Sequence, residues 1–255
     1  MNKILLVPNP NLNDYDKAIK DVCDKLSNFE VNIFKHDLSN NDGYKLLDEA
    51  LRVCDLLITL GGDGSMLKVA EDAYNFDVPL LGINYGGIGY LTSLKKDELF
   101  KLNDLNENYL LEERGMLDVS VDDKDYHHVA LNDVVICKSN INIPIKLLVN
   151  DDKTYFADGL IVSSATGSSA YSYSAGSPLI KEGQIILTPI CPVGRASTYS
   201  IYDDDMTFKI RSIRDNRDKA FLSIDGSDSI MVDRNDLIRV EKAKRKLKIV
   251  RFKND

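Results

Sequence analysis

The densest chemistry in this sequence begins at Leu60-Gly61-Gly62-Asp63-Gly64-Ser65. The stretch follows an apolar run and opens a helical pattern. Glycines at such a turn let backbone N–H groups come close to a ligand, and a helix start favours an anion. Phosphate is the natural guest. Asp63 is odd in that role because it is itself negative. An acid here makes sense if it holds a divalent cation or takes the proton of an attacking hydroxyl. The structural alternative is a tight strand-to-helix turn with Asp63 as its cap. The spacing is neither the GxGxxG of dinucleotide turns nor the GxxxxGK[ST] of P-loops. A second glycine-rich stretch, Gly82 to Leu91, also follows a strand. It can face the same crevice, or be a loop that needs positive φ angles.

A third stretch runs from Ala157 to Pro178 and is crowded with small hydroxylated residues and glycines. They offer donors and acceptors with little bulk, which suits a nucleotide. Tyr171 or Tyr173 could stack on a base. The alternative is a Ser-rich surface loop. The stretch is not a GxSxG elbow and no His follows it, which argues against a serine hydrolase.

Other candidates carry less. His127 and His128 are adjacent on a strand pattern, so they point to opposite faces and chelate one metal poorly. Cys23, Cys54, Cys137 and Cys191 form no CxxC pair and read as buried small hydrophobes. Asp203-Asp204-Asp205 reads as a solvated turn. The basic tail from Lys242 to Lys253 reads as a solvated strand face, with a phosphate channel as the alternative. No fixed metal site is expected.

The elements that must position these residues fall into two halves. Strand-like runs at Lys3–Val7, Val31–Phe34, Leu56–Leu60 and Val78–Ile83 alternate with helical stripes at Asp14–Ser27, Asp42–Arg52 and Ser65–Tyr74. That alternation predicts a parallel sheet covered by helices, with ligands beyond the carboxyl ends of its strands. After about Leu99 helical stripes become scarce. Strand runs dominate: Leu117–Val121, Val129–Cys137, Lys146–Val149, Leu160–Ser163, Ile185–Leu187, Thr207–Ile210 and Phe221–Ile224. Turn signals such as Asp122-Asp123, Asn150-Asp151-Asp152 and Asp225-Gly226 fall between them. The fold class expected is an α/β Rossmann-like N-terminal domain plus a β-rich, antiparallel C-terminal domain. The expected segments are 1–98 for the first, 99–235 for the second, and a strand segment 236–255 that can pack back on the N-terminal domain.

Composition bounds the rest. A chain of 255 residues with 44% apolar content builds a real core. Lys plus Arg is 32 against 40 for Asp plus Glu, a net charge of −8. That balance argues against general nucleic-acid binding, yet a local site can oppose it. No apolar run approaches a membrane span, and the start reads as a strand, so no membrane association and a cytoplasmic location are expected.

In this order, these stretches resemble the NAD kinase family. Gly61 to Ser65 is similar to its GGDG[TS] signature, and Gly82 to Leu91 to its glycine-rich segment. Leu131-Asn132-Asp133 resembles its Asn-acid motif. Asp158 through Pro178 resembles its Ser/Thr/Gly block, Leu187 through Pro192 its TPICP-like segment, and Ser223 through Gly226 its DGQ turn. The resemblance implies a homotetramer or homodimer. It also implies transfer of phosphoryl from ATP or, in some members, polyphosphate to the 2′-hydroxyl of the adenosine ribose of NAD, with Mg²⁺ accompanying ATP. By motif position it makes Asp63 the base and puts Gly61, Gly62, Gly64, Ser65 and Lys68 near the phosphates. Asn132 and Asp133 would bind the adenosine portion, and Asp158 would line the NAD pocket. Thr166, Ser169, Ala170, Tyr171 and Ser174 would surround the adenine. Asp133 stands where Glu is usual, and Ser227 where Gln is usual. The second change puts one ligand contact in question. Two alternatives remain at this stage: a GGDG-type lipid kinase, and a catalytically weak NAD(H)-binding regulatory protein.

Overall fold

A computed structural model of the chain describes residues 1–36, 38, 41–122, 124–194, 199–213, 219–227, 229–234 and 236–253. Asp123 of the predicted Asp122-Asp123 turn lies outside the described residues, as do the last two of segment 236–255. The chain divides into two units, Met1–Glu113 with Leu247–Asp255, and Arg114–Lys246.

The first unit alternates strands and helices: β1 (Lys3–Pro8), α1 (Tyr15–Lys25), β2 (Glu30–Ile33), α2 (Asn41–Leu51), β3 (Leu56–Gly61), α3 (Asp63–Asn75), β4 (Leu80–Asn84) and the short β5 (Leu94–Lys95). The strands are parallel in the order β2-β1-β3-β4. β3 and β4 are buried along their whole length, as continuous apolar runs must be when both faces are covered. The amphipathic α1 buries Ala18, Ile19 and Val22. The strand order reverses between β1 and β3. The connections leaving those two strands therefore diverge and open a crevice at their carboxyl ends. A 3₁₀ helix at Lys96–Asp104 follows, anchored by buried Leu102 where the sequence showed no long helical stripe.

The second unit is built from strands: β6 (Tyr109–Val121), β7 (His127–Ala130), β8 (Asp133–Lys138), β9 (Ile145–Val149), β10 (Lys153–Ala157), β11 (Gly159–Ser163), then the single-turn helix α4 (Tyr171–Ser174), β12 (Gln184–Ile190), β13 (Ser200–Asp203), β14 (Phe208–Ser212), β15 (Ala220–Ile224), β16 (Ile230–Val232) and β17 (Ile238–Phe252). One antiparallel sheet runs β13-β12-β11-β8-β15-β16. A second antiparallel group, β10-β9-β14-β17, shares a core with it: Val134, Ile136, Leu160 and Val162 from the sheet meet Leu147 and Phe208 from the group. Asn150 and Asp151, both at positive φ, make the turn between β9 and β10.

The division between units falls inside β6 and β17. Ile249, near the end of β17, pairs parallel to Leu80 of β4, and Val250 and Phe252 enter the core of the first unit. The run Val129–Cys137 is not one strand. It breaks at Leu131-Asn132, whose N–H groups are taken by a side chain from β15's turn rather than by a ladder. Among the described residues, no helix is long and apolar enough to cross a membrane.

Candidate active site

In the first unit the glycine turn splits two functions. Gly61 is forced by packing: a Cβ there would stand 2.0 Å from Ser65 Oγ. Gly62 and Gly64 are not forced. Neither has a positive φ, and a Cβ at either would meet nothing within 4 Å. Gly62 precedes the helix as its N-cap, where glycine is tolerated; Gly64, inside the first turn, costs up to about 1 kcal/mol against Ala and reads as space kept for a ligand. They line a cleft of about 660 Å³ at the carboxyl ends of β1 and β3, together with Ser65 and the exposed Lys68 one helical turn on. Asn9 Nδ2 donates to Ser65 Oγ at 3.2 Å and ties the β1 loop to that turn.

Asp63 looks the other way. Gly62, not Asp63, is the N-cap of α3, and no side chain caps the helix. The Asp63 carboxylate instead accepts three consecutive N–H groups of the glycine-rich loop: Tyr90 on Oδ2 at 2.8 Å, and Leu91 and Thr92 on Oδ1 at 2.9 and 3.3 Å. Oδ2 thus keeps an acceptor direction open. The same loop is held from behind by Arg251. Its Nη1 donates to the carbonyls of Leu91 and Thr92 at 2.9 and 2.8 Å, while its Nε pairs with Glu112 at 2.7 Å. Neither role proposed for the basic tail fits Arg251: it is a half-buried loop anchor. Lys248 pairs with Asp77. The expectation of positive φ in this loop also fails. Gly86, Gly87 and Gly89 all lack it, and Gly89 is required instead because a Cβ would stand 2.2 Å from Thr92 Oγ1.

In the second unit, Asp225 repeats the device. Its carboxylate accepts N–H groups from Leu131 at 2.7 Å on Oδ2, and from Asn132 and Asp133 at 2.7 and 3.0 Å on Oδ1. Its own N–H donates to the Asp133 carbonyl at 3.0 Å. Asp225 and Gly226, at φ 50° and 72°, turn the chain after β15. This places Asn132 and Asp133 at the break between β7 and β8. Asp133 is only 5% exposed, and among the described residues neither its carboxyl nor the Asn132 side-chain amide has a hydrogen-bond partner. Burial, and then the charge of Asp225, pushes the Asp133 pKa up to about 7. Thr166 Oγ1 is likewise buried without a partner. Unpaired buried polar groups are rare in folded proteins and mark candidate ligand contacts.

Most of the serine-rich block serves the fold. Ser163 Oγ and Ser164 Oγ donate to the carbonyls of Asn132 and Leu131, at 3.1 and 2.5 Å. Ser172 is buried between Ser177 and Thr188. Gly167 lies so close that a Cβ would meet the Asn132 carbonyl at 2.1 Å. Ser169, Tyr171 and Ser174 are exposed, with Ser169 and Ser174 bonded to local carbonyls and Ala170 between them. Burial raises the Tyr171 phenol, with added contributions from the charges of Cys137, Cys191, Asp133 and Asp158. Asp158 is held by Lys138 at 2.6 Å. Ser227 is exposed. The cysteines depart from the buried-hydrophobe reading: Cys23, Cys54 and Cys137 are half-buried, and Cys191 is exposed, at φ 45°, where the chain turns after β12.

The candidate residues thus form one group in each unit, Gly61 to Lys68 in the first and Asn132 to Ser227 in the second. From the sequence Asp225 entered only as a turn residue and Arg251 only as part of the basic tail, and Asn9 was not singled out. Asp225 and Arg251 act on backbone far away in the chain, which leaves no local signature. Among the described residues no group of three or more His, Cys, Asp or Glu side chains could cage a metal.

Comparison with known proteins adds an independent line. Residues 13–108 match the family model of the ATP-NAD kinase N-terminal domain, and residues 118–252 that of the ATP-NAD kinase C-terminal domain. The NAD kinase of Ruminiclostridium cellulolyticum is 34% identical over 269 residues, covering 98% of this chain and 93% of that protein. That of Caldanaerobacter subterraneus is 33% identical and covers 100% of this chain and 95% of that protein. Two solved structures share the fold. Yeast NADH kinase complexed with NADH superposes with a TM-score of 0.82 at 19% identity, covering 100% of this chain and 84% of that one. An NAD kinase from Archaeoglobus fulgidus in complex with ATP does so at 0.75 and 23%, covering 99% and 94%.

Proposed function

This chain belongs to the NAD kinase family and is a phosphotransferase; from that premise we propose that it moves the terminal phosphoryl group of ATP to the 2′-hydroxyl of the adenosine ribose of NAD, giving NADP and ADP. The observation that carries the reading is the state of Asp63. A ribose hydroxyl is a weak nucleophile at neutral pH and gains from a base within hydrogen-bond reach. The Asp63 carboxylate is fixed by three loop N–H groups, and Oδ2 retains one acceptor direction for that hydroxyl. As the bond from the 2′-oxygen to phosphorus forms and the bond from phosphorus to ADP breaks, the hydroxyl proton passes to Oδ2 and from there to solvent. Phosphoryl transfer needs little more than positioning and charge stabilisation. Gly62, Gly64 and Lys68 supply both on the donor side. Asn132, Asp133 and Thr166, each with an unpaired polar group, hold the adenosine portion of NAD, with Asp158 and Tyr171 beside them.

Magnesium fits as part of the donor and not as a resident ion. It favours one or two carboxylates plus substrate phosphates over an all-protein cage, and this chain presents no cage among its described residues. Bound to the triphosphate, it would spread the charge of the transferring group. The lipid-kinase alternative leaves the match over residues 118–252 without an account. In the same reading the enzyme works in the cytoplasm, and it does so as a homodimer or homotetramer, the assembly the family resemblance implies.

The test is direct. Purified protein with NAD, ATP and Mg²⁺ should form NADP, read by a coupled NADP-specific dehydrogenase, with NADH run in parallel. Phosphorus NMR of the product should place the new phosphate on the 2′ position. A phosphate on any other hydroxyl, or ADP release without NADP, overturns the reading.

A further inference from the structure

The loop gripped by Asp63 is fixed more firmly than a connection after a strand requires. At its start Tyr85 N–H donates to the Gly61 carbonyl at 2.8 Å, and at its end Ser93 N–H donates to the Gly82 carbonyl at 2.8 Å. The buried Asn84 side chain accepts from Gly86 N–H at 2.8 Å and donates to the Gly87 carbonyl at 2.9 Å. Asp63 takes the N–H groups of Tyr90, Leu91 and Thr92, and Arg251 donates to the carbonyls of Leu91 and Thr92. Yet this braced loop holds two large side chains out in solvent, Ile88 at 82% exposure and Tyr90 at 73%. Among the described residues the Tyr90 hydroxyl has no partner. Single exposed apolar residues are ordinary on a protein surface; these two differ by their place. Tyr90 N–H reaches Oδ2 of Asp63 at 2.8 Å. The Cα of Tyr90 therefore lies no more than about 4.3 Å from the oxygen that keeps an acceptor direction open.

We propose that Ile88 and Tyr90 cover the acceptor sugar at Asp63 and keep water from the transferring phosphoryl group, so that it goes to the ribose and not to water. The inference rests on the reading of Asp63 given above. A carboxylate placed to take the proton of a ribose hydroxyl can take one from water too. In that side reaction the water oxygen bonds to phosphorus, the bond from phosphorus to ADP breaks, and the proton passes to Oδ2. The products are ADP and inorganic phosphate. Positioning alone does not prevent this, because water fits wherever a hydroxyl fits; excluding water does. A ribose that brings its hydroxyl to Oδ2 comes within van der Waals reach of Tyr90, whose ring gives the sugar carbons an apolar surface and leaves its hydroxyl wet. Ile88, two residues earlier, widens that cover. The bracing fits the role, since a loop ordered before the substrate arrives loses little freedom when it binds.

The deciding measurement counts ADP against NADP with ATP, Mg²⁺ and saturating NAD. The parent should form the two in equal amounts. An Ile88→Ser, Tyr90→Ser double variant should release at least about three ADP for each NADP. Its KM for NAD should rise about tenfold, with the KM for ATP within about twofold of the parent. Tyr90→Phe restores the ring and should bring the ratio back toward that of the parent. Both side chains are exposed and the loop is held through main-chain atoms, so the fold is expected to survive, and a thermal melt checks this. A double variant that still forms ADP and NADP in equal amounts overturns the proposal. If sedimentation shows that variant changing its assembly while the ratio holds, the two side chains cover a second copy of the chain, and the proposal is equally overturned. If the parent forms no NADP, the reading of Asp63 fails by itself, and calorimetric titration of NAD into both proteins decides the cover. Binding about tenfold weaker in the variant supports it; equal affinity, or binding to neither, overturns it.

Discussion

Asp63 in the first unit and Asp225 in the second bond to backbone in the same pattern. Each places the first of three consecutive N–H groups on Oδ2 and the next two on Oδ1. Their surroundings differ. Asp63 opens a helix, and the loop it grips is braced from behind by a cation, Arg251. Asp225 sits in a hairpin turn, and the segment it grips carries a second acid, Asp133, which is buried. In the first region the device leaves the carboxylate an acceptor direction to spare. In the second, burial first and the charge of Asp225 second push a neighbouring acid toward its neutral form. One backbone clamp thus stands in two settings, and burial together with the neighbouring charge sets the second apart.

The largest expected effect breaks the first half of that comparison. Asp63→Asn removes the base and sets a side-chain NH₂ or a lost acceptor against the loop N–H groups. We expect kcat to fall by about 10²- to 10⁴-fold, the usual worth of a general base, with NAD binding retained. Arg251→Gln separates the base from the clamp. It loosens the same loop from its carbonyl side and leaves Oδ2 in place. It should lower the melting temperature, with a fall in kcat below about tenfold. If Arg251→Gln costs as much in kcat as Asp63→Asn, then Asp63 acts as a loop holder, and the assignment of the proton is wrong.

A smaller effect addresses the second clamp. Asp225→Asn leaves at least one of the N–H groups of Leu131, Asn132 and Asp133 facing another donor. Bonds to a charged acceptor are worth about 1.5–3 kcal/mol each, so a loss of about that size in unfolding free energy is expected from thermal or urea melts. As a positioning residue, Asp225 should also raise the KM for NAD about tenfold while kcat changes less than about threefold. A melt that shifts with no change in KM would leave Asp225 a purely structural residue.

What the sequence exposed and what it hid follow the same contrast. Continuous apolar runs such as Leu56–Leu60 and the stripes of α1 announce themselves locally, because burial and periodicity are written in adjacent residues. The glycines at 62 and 64 were legible for the same reason. The break in Val129–Cys137 was not. It exists because Asp225, more than 90 positions away, takes the N–H groups that a continuous strand would have paired. Arg251 was hidden likewise: a basic residue on a terminal strand looks solvated until the fold puts the carbonyls of Leu91 and Thr92 beside it. The short strands β10 and β13 carry polar residues, β16 has only three residues, and all three owe their form to the neighbours they pair with. The serine block misled in another way. Its density suggested ligand contacts throughout, yet Ser163, Ser164 and Ser172 spend their hydroxyls on the fold.

The mildest variant tests the electrical half of the comparison. The Asp133 carboxyl is raised to about 7, by burial first and by Asp225 second. A group whose folded value exceeds its unfolded value binds protons preferentially in the folded state. Stability therefore falls as pH rises from about 4, the unfolded value, to about 7, and is level beyond. The titratable groups coupled to it are Asp225 on the β15 turn and the Tyr171 phenol on α4. Asp133→Asn has nearly the same shape and cannot ionise. Its stability relative to the parent should rise with pH between about 4 and 7, reaching at most a few kcal/mol, and stay constant above. Urea melts at several pH values measure that difference. The KM for NAD should move in a matching way: the parent's changes near neutral pH as the carboxyl ionises, and the variant's does not. A pH-independent stability difference would mean that Asp133 is ionised throughout, and that the charge of Asp225 is screened from it.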